Sequence, residues 1–251
     1  MNTNRIKFLN TELDTMTMDQ TVLTIEQALI KGQVLQHVVV NVAKIVNMQK
    51  DTELAESVKS CDVINIDGMG VVWGARFCGH VVPERVAGVD LFHNLLAMSA
   101  RRSHPVFLLG ATEEVVTKTA EKVKEQNPNL IIAGFHDGYF FGSKEGWDEE
   151  AVVNKIRESG AKLLFVAITS PKKENFINKW QDKLGVDFVM GVGGTFDVVA
   201  GKVKRAPVWM QNFGLEWLYR VIQEPRRMWK RYLVTNSKFA YLLIKEKLKK
   251  S

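Results

Sequence analysis

An α/β fold, in which helices cover a parallel sheet, is what this sequence predicts, and three observations carry it. Short apolar, β-branched runs recur at 37–40, 63–66, 106–109, 130–133, 163–168 and 188–192, each short enough for a buried strand. Amphipathic stretches of helical length, including 52–59, 90–101, 112–126, 149–158 and 174–184, lie between most of them. Such alternation is the pattern of strands joined by crossover helices, hence a sheet buried on both faces. The composition agrees: 251 residues, 46% hydrophobic and 25% charged, with 18 Gly and 6 Pro, is globular rather than disordered or fibrous. That length suits one large domain with at most a small appendage.

Taken in order, the first run ends at Asn41, the second at Asp67, the fifth ahead of Thr169-Ser170-Pro171 and the sixth in a glycine-rich loop. The helix starts are marked as well. Thr112 precedes Glu113 and Glu114, which suit a first turn, and Ser170 precedes Pro171 at a first helical position. No internal repeat, low-complexity segment or Gly/Ser linker interrupts the pattern. Composition shifts only near Gly201, beyond which Pro207 and Pro225 bracket two helical segments, roughly 208–223 and 226–249. The expected organisation is therefore an α/β core over 1–201 and a helical appendage over 202–251.

Charge separates the two parts. Residues 202–251 hold 13 Lys/Arg and 3 Asp/Glu, a net of +10, which leaves the preceding residues at −4. Trp209, Trp217, Trp229, Tyr219 and Tyr232 are interleaved with Arg220, Arg226, Arg227, Lys230 and Arg231. Basic plus aromatic suits an anionic membrane interface or a nucleic acid, while a docked helical hairpin with core aromatics is the plainer alternative. The longest apolar runs, 163–168 and 239–244, are six residues, far below the roughly 20 that span a bilayer. The N-terminus has no apolar h-region, so a cytosolic chain is expected. Cys61 and Cys78 are too few for a disulfide framework or a structural zinc and read as packing residues.

Ligands of open parallel sheets bind beyond the carboxyl ends of the strands. There Asp67-Gly68-Met69-Gly70 offers a carboxylate followed by glycines that admit a ligand to the backbone; Asp67 reads as a general base or as a turn cap. Lys172, Lys173 and Glu174 open a helix whose dipole disfavours cations there, which suggests an anion at that terminus or solvated lysines without a role. The loop Gly191-Val192-Gly193-Gly194-Thr195-Phe196-Asp197 can present N–H groups to a nucleotide. Other chemistries lack their residues: no G-x-G-x-x-G closes correctly, and there is no Walker loop, no Asp-x-Asp pair and no G-x-S-x-G elbow. His37, His80, His93, His104 and His136 are scattered without ligand spacing.

Together these blocks resemble the WecG/TagA/CpsF glycosyltransferases, carbohydrate-active family 26. The resemblance is carried by Asp67-Gly68-Met69-Gly70-Val71-Val72, Arg76, Gly79, Glu84-Arg85-Val86-Ala87-Gly88-Val89-Asp90-Leu91 and Gly138-Tyr139-Phe140. It continues through Gly191-Val192-Gly193, Phe196-Asp197, Ala200-Gly201, Arg205-Ala206-Pro207 and Leu215-Glu216-Trp217. Arg220, Glu224-Pro225-Arg226-Arg227 and Arg231-Tyr232-Leu233 complete it. The blocks stand in the family's order from about residue 36 to 233.

The resemblance implies a Rossmann-like core of GT-E type with a C-terminal helical appendage. It implies an inverting transfer of a hexose-type sugar, such as N-acetylmannosamine or its uronate, from a UDP-sugar to a polyprenyl-diphosphate-linked sugar. Surface polysaccharide or teichoic-acid-type glycan would be the product, made at the inner membrane face. No cofactor or divalent metal is implied, and no nucleic acid; the oligomeric state stays open, a homo-oligomer included. Asp67 would be the base. Asn41, Gly68, Arg85, Asp90, Lys173, Glu174, Gly191, Gly193, Thr195, Phe196, Asp197 and Arg205 would contact substrates, with the 191–197 loop on the uridine. Arg220, Arg226, Arg227 and Arg231 would close over the diphosphate, and the appendage would rest on anionic lipid. The family's Thr-x-Asn and Pro-x-Gln-Glu are here Val39-Val40-Asn41 and Pro171-Lys172-Lys173-Glu174, so Lys173 is expected to meet an anion, a donor phosphate or a uronate carboxylate. A non-catalytic binder of lipid diphosphates would use the same tail without needing Asp67.

Overall fold

The computed structural model describes residues 5–140 and 148–249, with Arg227 described by its backbone alone. The chain opens with a hairpin, β1 (Arg5–Phe8) and β2 (Thr11–Asp14), and α1 (Met18–Ile30). Then come β3 (Leu35–Val40), α2 (Val42–Met48), α3 (Thr52–Lys59), β4 (Val63–Ile66), α4 (Met69–Phe77) and α5 (Gly88–Arg102). The second half of the core is β5 (Val106–Gly110), α6 (Glu113–Gln126), β6 (Ile132–His136), α7 (Glu149–Glu158), β7 (Leu163–Ala167), α8 (Lys172–Trp180), β8 (Phe188–Gly191) and α9 (Thr195–Val199). Helices α10 (Val208–Asn212), α11 (Glu216–Gln223) and α12 (Pro225–Lys249) end it.

The eight strands form one sheet in the order β1-β2-β4-β3-β8-β7-β5-β6, antiparallel only between β1 and β2. This is the helix-covered, largely parallel sheet that the alternation predicts, and the Rossmann-like core that the resemblance implies. Strand side chains alternate between two faces. Leu35, Val106, Phe165, Phe188 and Met190 pack under α1, α5, α6 and α9. On the other face Val38, Val40, Ile64 and Ile66 pack under α2, α3 and α4, and Leu109, Leu164 and Val166 under α7 and α8. From β3 the chain moves to β4 on one side, and β8 later enters on the other, so β3 lies at a switch in direction where a crevice opens at the strands' carboxyl ends.

Several expectations shift, each for a local reason. The run at 130–133 is displaced to Ile132–His136, because β6 is an edge strand whose ladder to β5 takes in Gly134, Phe135 and His136 while buried Leu130 leads into it. The helix read at 208–223 divides at Gly214, whose φ of +65° breaks it into α10 and α11. Pro171 stands at the N-cap of α8 rather than at its first helical position, and Lys172 is the first helical residue. Both cysteines are buried and neither forms a disulfide, as packing residues should be.

The appendage lies against the core. Phe239 of α12 is 6% exposed and packs with Phe8, Val72 and Ala75, and Leu242 and Leu243 pack beside it. Gly74 makes this seat possible: a Cβ there would stand 2.9 Å from both Phe239 and Leu243.

Candidate active site

Asp67 directly follows β4, its N–H donating to Val40 O at 2.9 Å, so the carboxylate stands at the crevice between β4 and β3. Gly68 turns the chain with φ +105°, a backbone state that L side chains avoid, and starts α4 without a side-chain cap. Opposite, Val86 N donates to Ile66 O at 2.8 Å and lays the segment from Arg85 to Gly88 against the strand end. The Gly88 N–H donates to Asp67, and a Cβ on Gly88 would lie 3.7 Å from Asp67 Oδ2. Burial, with Glu216 as a like charge, raises the Asp67 carboxyl above its ordinary range; Arg85, the Gly88 N–H and Arg220 oppose that rise.

A ring of ion pairs surrounds this carboxylate. Arg85 donates to Glu216 Oε2 at 2.9 Å and to Gln211 Oε1 at 3.2 Å. Arg205 grips Asp90 through two hydrogen bonds, 2.5 and 2.7 Å, and holds the Asp90 carboxyl below its usual range. Gln211 in turn donates to Ala206 O at 2.7 Å. Core residues Arg85 and Asp90 are thus tied to Arg205, Gln211 and Glu216 of the appendage. Glu216 and Gln211 are the site's surprises. Sequence reading sees Glu216 only as one letter of a motif, since its partner is 131 positions away.

A second cluster lies beneath the crevice. Lys44 of α2 and Lys173 of α8 share Glu174 Oε1 at 2.7 and 2.6 Å, all three buried, and Lys44 also donates to Val39 O at 2.8 Å. Burial would raise the Glu174 carboxyl, yet the two ammonium groups outweigh it and hold it well down. Burial, with Lys44 and Arg231 as like charges, lowers Lys173. Lys173 is therefore not the solvated lysine of the sequence alternatives: its ammonium pairs with its neighbour, and its stem crosses Gly191, with Cε 2.9 Å from where a Cβ on Gly191 would stand. Sequence reading misses Lys44, whose only signal is a basic residue on the apolar face one turn after Asn41.

The remaining candidates spread over several roles. Asn41 caps α2, its Oδ1 accepting from Lys44 N at 3.0 Å. Gly193 and Gly194 edge the crevice, and Thr195 donates to Val192 O at 2.8 Å. The Phe196 ring is turned away from it: fully buried, it packs 5.8 Å from Phe92 in the core, because α9 must cover the sheet with that face. Asp197, half-buried, is 3.8 Å from Lys202. The charge of Arg220 in α11 acts on Asp67 and Tyr232, and that of Arg231 in α12 on Lys173 and Tyr232, so both add positive potential at the crevice. Arg226 is exposed in the first turn of α12, and the side chain of Arg227 lies outside the described residues. Among the described residues no three His, Cys, Asp or Glu side chains gather as a metal site, and no helix is long and apolar enough to cross a membrane.

A carboxylate with raised proton affinity, two guanidiniums whose charge acts at the crevice and a basic, aromatic rim suit transfer to a hydroxyl from an anionic leaving group. The profile of the "Glycosyl transferase WecG/TagA/CpsF family" matches residues 6–251. The chain belongs to that family. Two curated relatives in the WecG/TagA/CpsF family carry the same printed name, N-acetylglucosaminyldiphosphoundecaprenol N-acetyl-beta-D-mannosaminyltransferase. That of Bacillus subtilis (strain 168) is 36% identical over 201 residues, 80% of this chain and 75% of the relative. That of Bacillus spizizenii is 40% identical over 174 residues, 69% of this chain and 65% of the relative, just under two thirds of its length. This WecG/TagA/CpsF chain is accordingly a glycosyltransferase of the α/β class whose relatives act on a lipid-diphosphate-linked sugar.

Proposed function

We propose that the chain is an inverting transferase that moves a hexose-type sugar from a UDP-sugar to a polyprenyl-diphosphate-linked sugar, in the synthesis of a surface or teichoic-acid-type glycan. N-acetylmannosamine, its uronate or a related hexose is the transferred group. The observation that carries this is Asp67: a half-buried carboxylate of raised proton affinity at a strand end, ringed by arginines. The acceptor hydroxyl gives its proton to Asp67 while its oxygen bonds to the anomeric carbon; the bond from that carbon to the β-phosphate oxygen breaks, and UDP leaves with the electron pair. Attack opposite the leaving group inverts the centre. Arg220 and Arg231 offset the charge that gathers on the diphosphate, without a metal. The open glycine backbone of the 191–197 loop lies against the uridine, while the Val192 and Gly193 N–H groups stay on Val166 O, and Asn41 stands nearby at the end of β3.

The core, 1–201, supplies the base and the nucleotide loop, and 202–251 closes over the diphosphate and rests on anionic lipid at the inner membrane face, where the acceptor is anchored. Exposed Trp209, Phe213 and Trp229 beside the basic residues support this. UDP release with acceptor-bearing liposomes, a panel of UDP-hexoses and UDP-uronates, and EDTA present is the test. Turnover of one donor that disappears in Asp67→Asn is expected. No turnover with any donor, despite lipid binding, would leave a binding protein instead.

A further inference from the structure

The arginines around Asp67 are of two sorts. Arg220 and Arg231 have no hydrogen bond or ion pair from their guanidiniums among the described residues, whereas Arg85 and Arg205 are committed to other partners. Arg85 spends one nitrogen on Glu216 at 2.9 Å and another on Gln211 at 3.2 Å. Arg205 spends two on Asp90 and lies 3.9 Å from Glu216. The difference matters for a base. Released from those partners, the Arg85 guanidinium would be free to pair with Asp67, hold it ionised to low pH and cover the oxygen that must take the proton.

We infer that Glu216 is a positioning residue for the base: by holding Arg85 it keeps that guanidinium off Asp67 and sets a second negative charge facing it. Glu216 stands in the first turn of α11, so Asp67 acquires this setting only when the appendage is seated on the core. The inference rests on the reading of Asp67 as the base. The groups facing Asp67 are Glu216 and Arg220 from α11, Arg85 and the Gly88 N–H from the segment leading into α5, Arg205 ahead of α10, and Tyr232 from α12. Glu216 is the anion among them, and the Tyr232 hydroxyl, its pKa raised by burial, stays neutral.

The test is the titration of Asp67 in the full chain, followed through ¹³C-labelled aspartate carboxyls, its signal assigned by loss in Asp67→Asn. Glu216→Gln is expected to lower the Asp67 midpoint by about one unit, a tenfold change in proton affinity. Arg85→Gln is expected to raise it. In the Arg85→Gln background the Glu216→Gln shift is expected to shrink by at least half, because its larger part acts through Arg85. Glu216→Asp, which keeps the charge and is the gentler change for folding, is expected to return the midpoint most of the way to that of the native chain. An Asp67 midpoint unchanged or raised in Glu216→Gln, or a shift undiminished without Arg85, would overturn the inference. The titration needs neither donor nor acceptor. Absence of turnover in the native chain therefore sinks the transferase reading alone, while the midpoints decide the role of Glu216. Where turnover is found, the acidic limb of kcat/KM should move down in Glu216→Gln by the NMR shift, with KM for the UDP-sugar nearly unchanged.

Discussion

Asp67 is held in a state that burial makes unfavourable, and this has a sign that can be checked. Its carboxyl is raised, so the folded protein binds the proton more tightly than the unfolded chain. Ionisation therefore opposes folding as pH rises through the folded pKa, and the penalty persists at neutral pH. Asp67→Asn is expected to raise the thermal midpoint at pH 7 while lowering kcat by about 10²–10⁴-fold, the loss usual for a general base. A variant that loses turnover and also melts lower would point to a structural role. Lys44, Glu174 and Lys173 give a second residue-scale expectation. Glu174→Gln leaves two buried ammonium groups without their anion and should cost about 3–5 kcal/mol in urea unfolding, whereas Lys173→Gln leaves the Lys44–Glu174 pair intact and should cost clearly less. The trio carries a net positive charge under the crevice. If that charge meets a donor anion, Lys173→Gln will change donor affinity or choice; a donor profile left untouched would show that Lys173 serves only packing.

At the scale of elements, one buried polar chain ties β3, β4 and α1 together. His37 Nε2 lies 2.8 Å from Asn65 Oδ1, Asn65 Nδ2 donates to Thr21 Oγ1 at 3.2 Å, and Thr21 donates on to Thr17 O at 2.9 Å. Burial pushes the His37 imidazole down to about 4, so it is neutral in the fold and its Nε2–H donates to Asn65. The unfolded chain takes up that proton near pH 6.5, so stability is full above 6.5 and drains away as pH falls toward 4. Between pH 7 and 5 the loss from His37 should be about 2 kcal/mol, and His37→Gln should flatten the slope. Elements like these divide into those legible in the sequence and those that are not. The strand run 63–66 and the helices 52–59 and 149–158 are read with the observed bounds, since apolar pattern and caps agree there. Helix α2 is hidden because its Val42, Ile45 and Val46 continue the β-branched run of β3; only the extended Asn41 and its cap divide them. Helix α4 is hidden by Gly70 and Gly74, each worth about 1 kcal/mol against a helix, and tertiary packing overrides that propensity. The hairpin of β1 and β2 is short, polar on one face and turned at Leu9 and Asn10, both with positive φ, so its alternation is too brief to register. In the site, Asp67 stands out by its place after a strand and the tail arginines by charge, while their roles come only from the resemblance; Lys44, Gln211 and Glu216 act through partners more than a hundred positions distant, which no local pattern reports.

The whole molecule joins a slightly acidic core to a strongly basic appendage, and the face of the appendage that docks on the core is separate from its exposed aromatic face. Docking on the core runs through Phe239, Leu242 and Leu243 over Gly74, and through Glu216 on Arg85. The other surface holds exposed Val208, Trp209, Phe213 and Trp229, and Trp73 and Phe77 of α4 continue it, with Lys247 over the Phe77 ring at 5.5 Å. If lipid contact is the role of that surface, its two parts respond to different changes. Lys and Arg near an anionic leaflet contribute about 1 kcal/mol each and are screened by salt, whereas aromatic insertion is not. Binding to vesicles containing phosphatidylglycerol, measured by co-sedimentation, should therefore fall steeply from 50 to 500 mM salt in the native chain, and fall again at fixed salt in Trp209→Ala with Phe213→Ala. Vesicles of phosphatidylcholine alone should bind weakly at any salt. Gly74→Val meets Phe239 and Leu243, so it should unseat α12 from the core, lose turnover and move Asp67's titration in the direction of Glu216→Gln while still binding anionic vesicles. Binding indifferent to lipid charge, or lost together with turnover in Gly74→Val, would mean that the core and the lipid are not served by separate faces of the appendage.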